Sequence, residues 1–149
     1  MNALRTPLRA YFGACRLLDV VAPLFDLCLR AYVFYVFFLS GLTKIQSWDS
    51  TIALFENEYT VPVLPPELAA YLGTAAELSL PVFLLIGLGA RAFGIALFVF
   101  NVVAVISYPD LSPAGVKDHI LWGALIAVVI FHGPGKLSLD HWLERRWAS

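Results

Sequence analysis

Charge and sulfur are what this chain has least of. Only 14% of its 149 residues are charged, against 60% hydrophobic. A soluble domain carries about 25% charged residues, so this composition cannot clothe a water-facing globule. There are two cysteines, Cys15 and Cys28, and no CxxC. That excludes a disulfide scaffold and a dithiol redox centre. Ten basic against eleven acidic residues leave a net charge of −1. With no basic field, nucleic acid is excluded as a partner class. The short alternating strands of a membrane barrel are also missing. Residues 1–24 hold three arginines and no uninterrupted apolar core, so no signal peptide is expected.

What the chain does have is four apolar stretches, over roughly 27–45, 68–88, 90–108 and 114–132, and a mean hydropathy of +0.77. About 20 apolar residues cross a bilayer as a helix. The reading is an all-α, integral membrane four-helix bundle, one domain over 1–149, with flanking interfacial helices. Arg5, Arg9, Arg16, Arg91, Lys136, Arg145 and Arg146 lie on the two termini and the second turn. Lysine and arginine collect on the cytoplasmic side, which places both termini inside and the 46–67 and 109–117 loops outside. Residues 8–20 and 136–147 mix arginine with leucine and aromatics, as helices lying in the interface do. Pro23 is expected to break the first of these from span one. In the outer loop, Asp49 or Ser50 is placed to cap a short helix running to about Tyr59. That helix would either roof the bundle mouth or lie as an aromatic belt. Pro66 suits the first turn of span two.

Ionisable groups inside the spans are the candidates for function, because each costs about 3 kcal/mol or more unless paired or wet. Depth follows from the rise per residue, counted from the cytoplasmic end of each span. Arg30 lies at about 5 Å and Lys44 at about 25 Å. Glu77 lies at about 16 Å and Asn101 at about 15 Å. His119 opens span four at the outer mouth. Lys44, Glu77, Asn101 and His119 thus form an outer group, with Trp48, Tyr59 and Trp122 as candidate lining. A lone ionised Glu77 at the midplane is too costly, so it is protonated or paired, with Lys44 in reach. The competing reading is a buried pair that only holds the spans together. Arg30, Arg91, His132 and Asp26 form an inner group suited to structure or lipid contact. No HxxxH or ExxH pair supports a metal site, and none is assigned. Pro81, one turn after Glu77, frees a backbone carbonyl there and favours a pocket.

The residues Phe38-Leu-Ser-Gly-Leu-Thr-Lys-Ile45 with Trp48, Gly73-Thr-Ala-Ala-Glu-Leu78 with Pro81, and His119 resemble the DoxX family of membrane proteins. The stretches 48–64, 101–111 and 133–140 resemble DoxX-like members near bufferin-type metal-stress operons. The resemblance implies a four-span bacterial inner-membrane protein linked to quinone or redox systems. It marks Arg30, Gly41, Lys44, Glu77 and His119 as family positions. Three functions stay open. One is a quinone-linked redox or stress-response accessory subunit, in which Glu77 or His119 protonates a bound quinone, Lys44 polarises it, and Asn101, Trp48, Tyr59, Trp122 and Arg30 bind it. Another is a non-enzymatic membrane partner, anchor or exporter component of a copper or metal-stress peptide system, meeting a periplasmic or membrane partner. The third is a small transporter, which with four spans would need a homo-oligomer. Whether the chain is an enzyme is left open.

Overall fold

In a computed structural model, residues 5–147 are described, without the side chains of residues 5–7 and 10. Arg5, counted above among the inner charges, therefore has no described side chain. Six helices follow one another: α1 Arg5–Gln46, α2 Trp48–Asn57, α3 Pro66–Ile86, α4 Ala90–Ser107, α5 Pro113–His132 and α6 Leu139–Trp147. The described residues contain no strand. Helices α1, α3, α4 and α5 are long and apolar enough to cross a membrane. Helix α1 packs on α3, α3 on α4 and α4 on α5, and α5 closes the ring on α1. The short helix α2 lies against α3 and α1 at one end of the ring, the α2 end.

The burial pattern is inverted relative to a soluble bundle. Only 17–33% of the most apolar window of each span is buried. Large apolar side chains such as Leu72, Val99, Ile106, Ile120 and Phe131 face outward. Lipid does not push such side chains together, so packing and polar contacts must hold the ring. The interior supplies both. Leu29, Val33, Phe37, Leu84, Leu97, Ile126 and Val129 form a closed apolar core. Gly41 lets α1 approach α3 closely: an added methyl there would sit 2.8 Å from the Leu78 side chain and 3.1 Å from Glu77 Cβ.

The first expectation to fall is the break at Pro23. Helix α1 runs unbroken through it for 42 residues. Proline removes one helical hydrogen bond, but leaving the helix requires a residue that caps or turns. The neighbours are Val20-Val21-Ala22 and Leu24-Phe25, which offer neither. The helix is thus about 63 Å long, roughly twice the hydrocarbon thickness. The cap of α2 is also not where expected: Ser47 occupies it, ahead of Asp49 and Ser50, and Ser47 Oγ lies 2.7 Å from Ser50 Oγ. Pro66 does open α3.

At the opposite end, the α6 end, the α3–α4 turn is made by Gly87 and Gly89, both at positive φ. Glycine holds that conformation without a Cβ clash. Asp140 of α6 closes the turn. Its carboxylate accepts from the Gly89 and Ala90 amides at 2.8 and 2.9 Å, and its own amide donates to the Gly87 carbonyl at 2.9 Å. A carboxylate on these first amides satisfies orphan donors and suits the positive end of α4. Helix α6 is therefore pinned to the bundle, with Trp142 and Trp147 left exposed.

Candidate functional site

Two cations on α1, one buried and one partly buried, lean on the same neighbour, α3, and they do different things. At the α6 end, Arg30 is fully buried. Its Nη1 donates to the carbonyls of Leu84 and Leu85 at 3.3 and 2.5 Å, and its Nη2 donates to the Leu137 carbonyl. Leu84 and Leu85 lie in the last turn of α3, where carbonyls lack helical partners and the dipole is negative. A guanidinium satisfies several such acceptors at once. Asp26 and Asp140 add favourable fields. Arg30 is thus a clamp joining α1, α3 and the α5–α6 loop. It lies about 21 Å along α1 from Lys44 and does not touch the cavity described next. Arg91 and His132 are exposed, and Asp26 is half-buried beside Gly135.

At the α2 end, Lys44 Nζ donates to both carboxylate oxygens of Glu77, at 2.8 and 2.7 Å, and to Ser40 Oγ at 3.0 Å. Ser40 Oγ in turn donates to Glu77 Oε1 at 3.2 Å. Ser40 and Lys44 are one turn apart and share a face of α1. Glu77 is nine-tenths buried. The pair answers its desolvation cost by contact with a cation and a hydroxyl.

A cavity of about 540 Å³ opens beside this pair. Lys44, Glu77, Ser40, His119, Tyr59 and Trp122 line it, together with Phe37, Phe55, Phe100, Tyr108 and apolar residues of α3 and α4. Most of the wall is hydrocarbon, with a few polar groups, as ligand sites have. Its liners Leu72 on α3 and Val99 on α4 are also about half exposed. The cavity therefore opens sideways between these helices, toward where lipid would lie.

His119 enters from α5 in a fixed tautomer. Asn101 Nδ2 donates to the His119 carbonyl at 3.0 Å, which turns Asn101 Oδ1 toward His119 Nδ1, 2.8 Å away. An amide oxygen only accepts, so Nδ1 carries the proton and Nε2 of the neutral ring is an acceptor. Gly123 leaves room for this contact, since an added methyl would lie 3.3 Å from Asn101 Nδ2. The His119 ring meets Trp122 edge-on, with centroids 4.7 Å apart.

The roof comes from α2 and the following loop. Phe55 stacks edge-on against Tyr59, and Tyr59 against Tyr108. The Thr60 amide donates to the Ser107 carbonyl at 2.7 Å, and the Tyr108 hydroxyl donates to Glu58 Oε2 at 3.0 Å. Burial holds the Tyr59 phenol above its ordinary value, and the Glu77 charge adds to this.

Of the residues singled out from sequence, Lys44, Glu77, His119, Tyr59 and Trp122 share the cavity wall. Asn101 stands behind His119. Trp48 lies outside, packed on Tyr71 with centroids 4.6 Å apart. Sequence reasoning missed Ser40, whose spacing of four from Lys44 was a usable signal. It also missed Ser107, a residue of the cavity wall whose buried hydroxyl has no hydrogen-bond partner.

The fold and site define a class: a multi-pass membrane four-helix bundle with a buried ion pair beside a cavity. The DoxX family model matches residues 25–109, more than half of the chain, and the chain belongs to the DoxX family. The match takes in Arg30, Gly41, Lys44 and Glu77 and ends before α5, so His119 lies beyond it. An uncharacterized protein of Haemophilus influenzae is 26% identical over 140 residues, covering 88% of this chain and 91% of that one. No solved structure matches the chain.

Proposed function

We propose that this DoxX-family protein binds a small lipid-soluble ligand of the quinone class in the α2-end cavity, as an accessory subunit of a redox or stress-response system in a bacterial inner membrane. The observation that carries this reading is the sideways opening between α3 and α4, joined inside to a small set of polar groups. A ligand dissolved in the bilayer can enter there without crossing water. The residues fit a ring bearing two oxygens. Phe37, Phe100 and Trp122 offer apolar and aromatic contact. Ser107 has a hydroxyl without a partner to give to a carbonyl oxygen. Lys44 stands ready to polarise an oxygen, and Glu77 to hold or release a proton at it. His119 Nε2 accepts from a ligand hydroxyl. When bound, a quinone supplies the two-electron chemistry, and electrons come from a partner protein.

Mass spectrometry of the protein purified in mild detergent tests this. Quinone is expected to co-purify, and to be lost from Glu77→Gln and weakened in Ser107→Ala while both variants stay folded. A well-folded protein that neither retains nor takes up added quinone overturns the reading.

A second reading rests on a different observation. Asp49, Glu56, Glu58 and Glu67 are all exposed at the α2 end, forming an acidic surface suited to a basic partner. On this reading the protein anchors or assists a neighbouring metal-stress system without chemistry of its own. Reproducible capture of one partner by the wild type, abolished by charge reversal of these four residues, would favour it.

A further inference from the structure

A second, smaller hollow of about 330 Å³ lies at the α2 end, lined by Thr43, Lys44, Ser47, Ser50, Thr51 and Leu54. Five of these six side chains are polar. Thr43, Ser47 and Ser50 are exposed, so the hollow faces the aqueous phase at that end. Its inner wall is Lys44, the one residue it shares with the larger cavity. The hollow thus leads from water to the ammonium whose protons touch Glu77.

The other direction is closed. Between Glu77 and the α6 end lie Leu29, Val33, Phe37, Leu84, Leu97 and Ile126, each at most 7% exposed. Among the described residues, Arg30 is the one buried polar side chain below this layer, and it faces carbonyls. Moving a proton through such a layer carries the cost of an unpaired charge in hydrocarbon. Water and protons therefore have a polar route on one side of Glu77 and a dry plug on the other.

We infer that Glu77 exchanges its proton with the aqueous phase at the α2 end alone, through the hydroxyl-lined hollow, with Lys44 as the gate. In the step, Lys44 ammonium passes a proton to the Glu77 carboxylate, leaving an amine and a carboxylic acid. The amine then takes a proton from water in the hollow and becomes ammonium again, so the net change is one proton gained by Glu77. Release runs the same steps in reverse. The other ionisable groups facing this point are few: Tyr59 from the roof, His119 from α5, and Tyr108 with Glu58 at the mouth. This division of labour gives lipid-soluble ligand a door between α3 and α4, and protons a separate door. It deepens the ligand reading of the cavity, but its test needs no ligand.

The test uses the full-length protein in oriented vesicles. The infrared signal of the Glu77 carboxyl is assigned by its loss in Glu77→Gln and followed after a pH step on one side. The signal is expected to follow the pH at the α2 end and to ignore the α6 end. Ser50→Cys, labelled on the folded, reconstituted protein with a bulky membrane-impermeant thiol reagent, closes the hollow. The reagent is added on the α2 side only, so half-buried Cys15 and exposed Cys28, which both lie toward the α6 end of α1, stay across the membrane from it. Labelling is expected to slow the response by roughly tenfold or more, as is Lys44→Met, in line with losing a positioned proton carrier. Unlabelled Ser50→Cys is the baseline against which the labelled protein is read. A response to the α6 end, a response unchanged by the label, or a Glu77 signal that follows neither side wherever the protein stays folded overturns the inference. Loss of quinone retention with one-sided exchange intact would instead strike the ligand reading alone.

Discussion

Helix α1 presents two cations to α3, fourteen residues apart, Arg30 fully buried and Lys44 partly so, and the protein uses them in opposite ways. Arg30 faces backbone carbonyls in solid packing, and every neighbour it has is part of the fold. Lys44 faces a carboxylate at the edge of empty space. A guanidinium keeps its charge and spans several fixed acceptors, so it suits permanent joints. An ammonium on a flexible stem, paired with an ionisable carboxylate, can change partner and protonation state. The contrast teaches that burial of charge within a membrane span does not by itself mark a functional site. The partner and the adjoining volume decide it.

The largest expected effect breaks the inner joint. Arg30→Met should cost about 3 kcal/mol of stability, since the Leu85 and Leu137 carbonyls lose their donor inside the protein. Leu84 fares better because the Gly87 amide also donates to its carbonyl, at 3.2 Å. Arg30→Lys should recover little, because one ammonium cannot reproduce the planar fork. Unfolding in mild detergent measures both. Quinone retained per folded molecule should not change. A stable Arg30→Met protein that sheds its ligand would erase the contrast between the two cations.

The next effect sharpens the outer joint. Lys44→Met leaves Glu77 buried without its cation, and Glu77→Gln leaves Lys44 without its anion. The double variant leaves neither charge exposed to the other's absence. A double-mutant cycle on stability should therefore show coupling of about 1–3 kcal/mol. Ligand retention should behave differently and stay lost in the double variant. If removing both charges restores stability and ligand together, the pair is scaffold, like Arg30.

Much of this architecture was legible in the chain, for a physical reason. A span is a one-dimensional run of apolar residues, and its ends are written by proline, glycine and charge. The third stretch reads as 90–108, and the helix is Ala90–Ser107. Depth is likewise linear in residue number, which sets Glu77 and Asn101 near one level from sequence alone, with Lys44 about 9 Å higher and within reach. What linear reasoning lacks is rotation. Nothing in the sequence states which face of α4 meets α5, so the Asn101–His119 clamp required the structure, and so did the exclusion of Trp48 from the cavity wall. Pro23 misled because the rule for proline is local, while the outcome depends on whether the neighbours offer the chain another conformation. Ser107 was passed over because a lone serine at the C-terminal end of an apolar run carries no spacing or charge signal. Only the structure shows the residue on the cavity wall with a buried, unpartnered hydroxyl.

The smallest expected effect concerns the roof, and it separates the cavity from the inner joint by pH. The Tyr59 phenol is held above its ordinary value of 10.0, first by burial and then by the Glu77 charge. The folded protein thus keeps this proton more tightly than the unfolded chain. A raised folded value contributes stability that is fully present below about pH 10 and is lost as pH rises through the folded value. Unfolding followed from neutral pH to above this point should show stability falling in the alkaline range. Tyr59→Phe removes the titrating proton and should flatten that part of the fall. Arg30, bound to carbonyls that do not titrate, should add nothing to it, so Arg30→Met should lower the whole curve without changing its alkaline slope. An alkaline fall that survives Tyr59→Phe unchanged would mean that the phenol is not buried in the folded protein, and that the roof stands open where the structure closes it over the cavity.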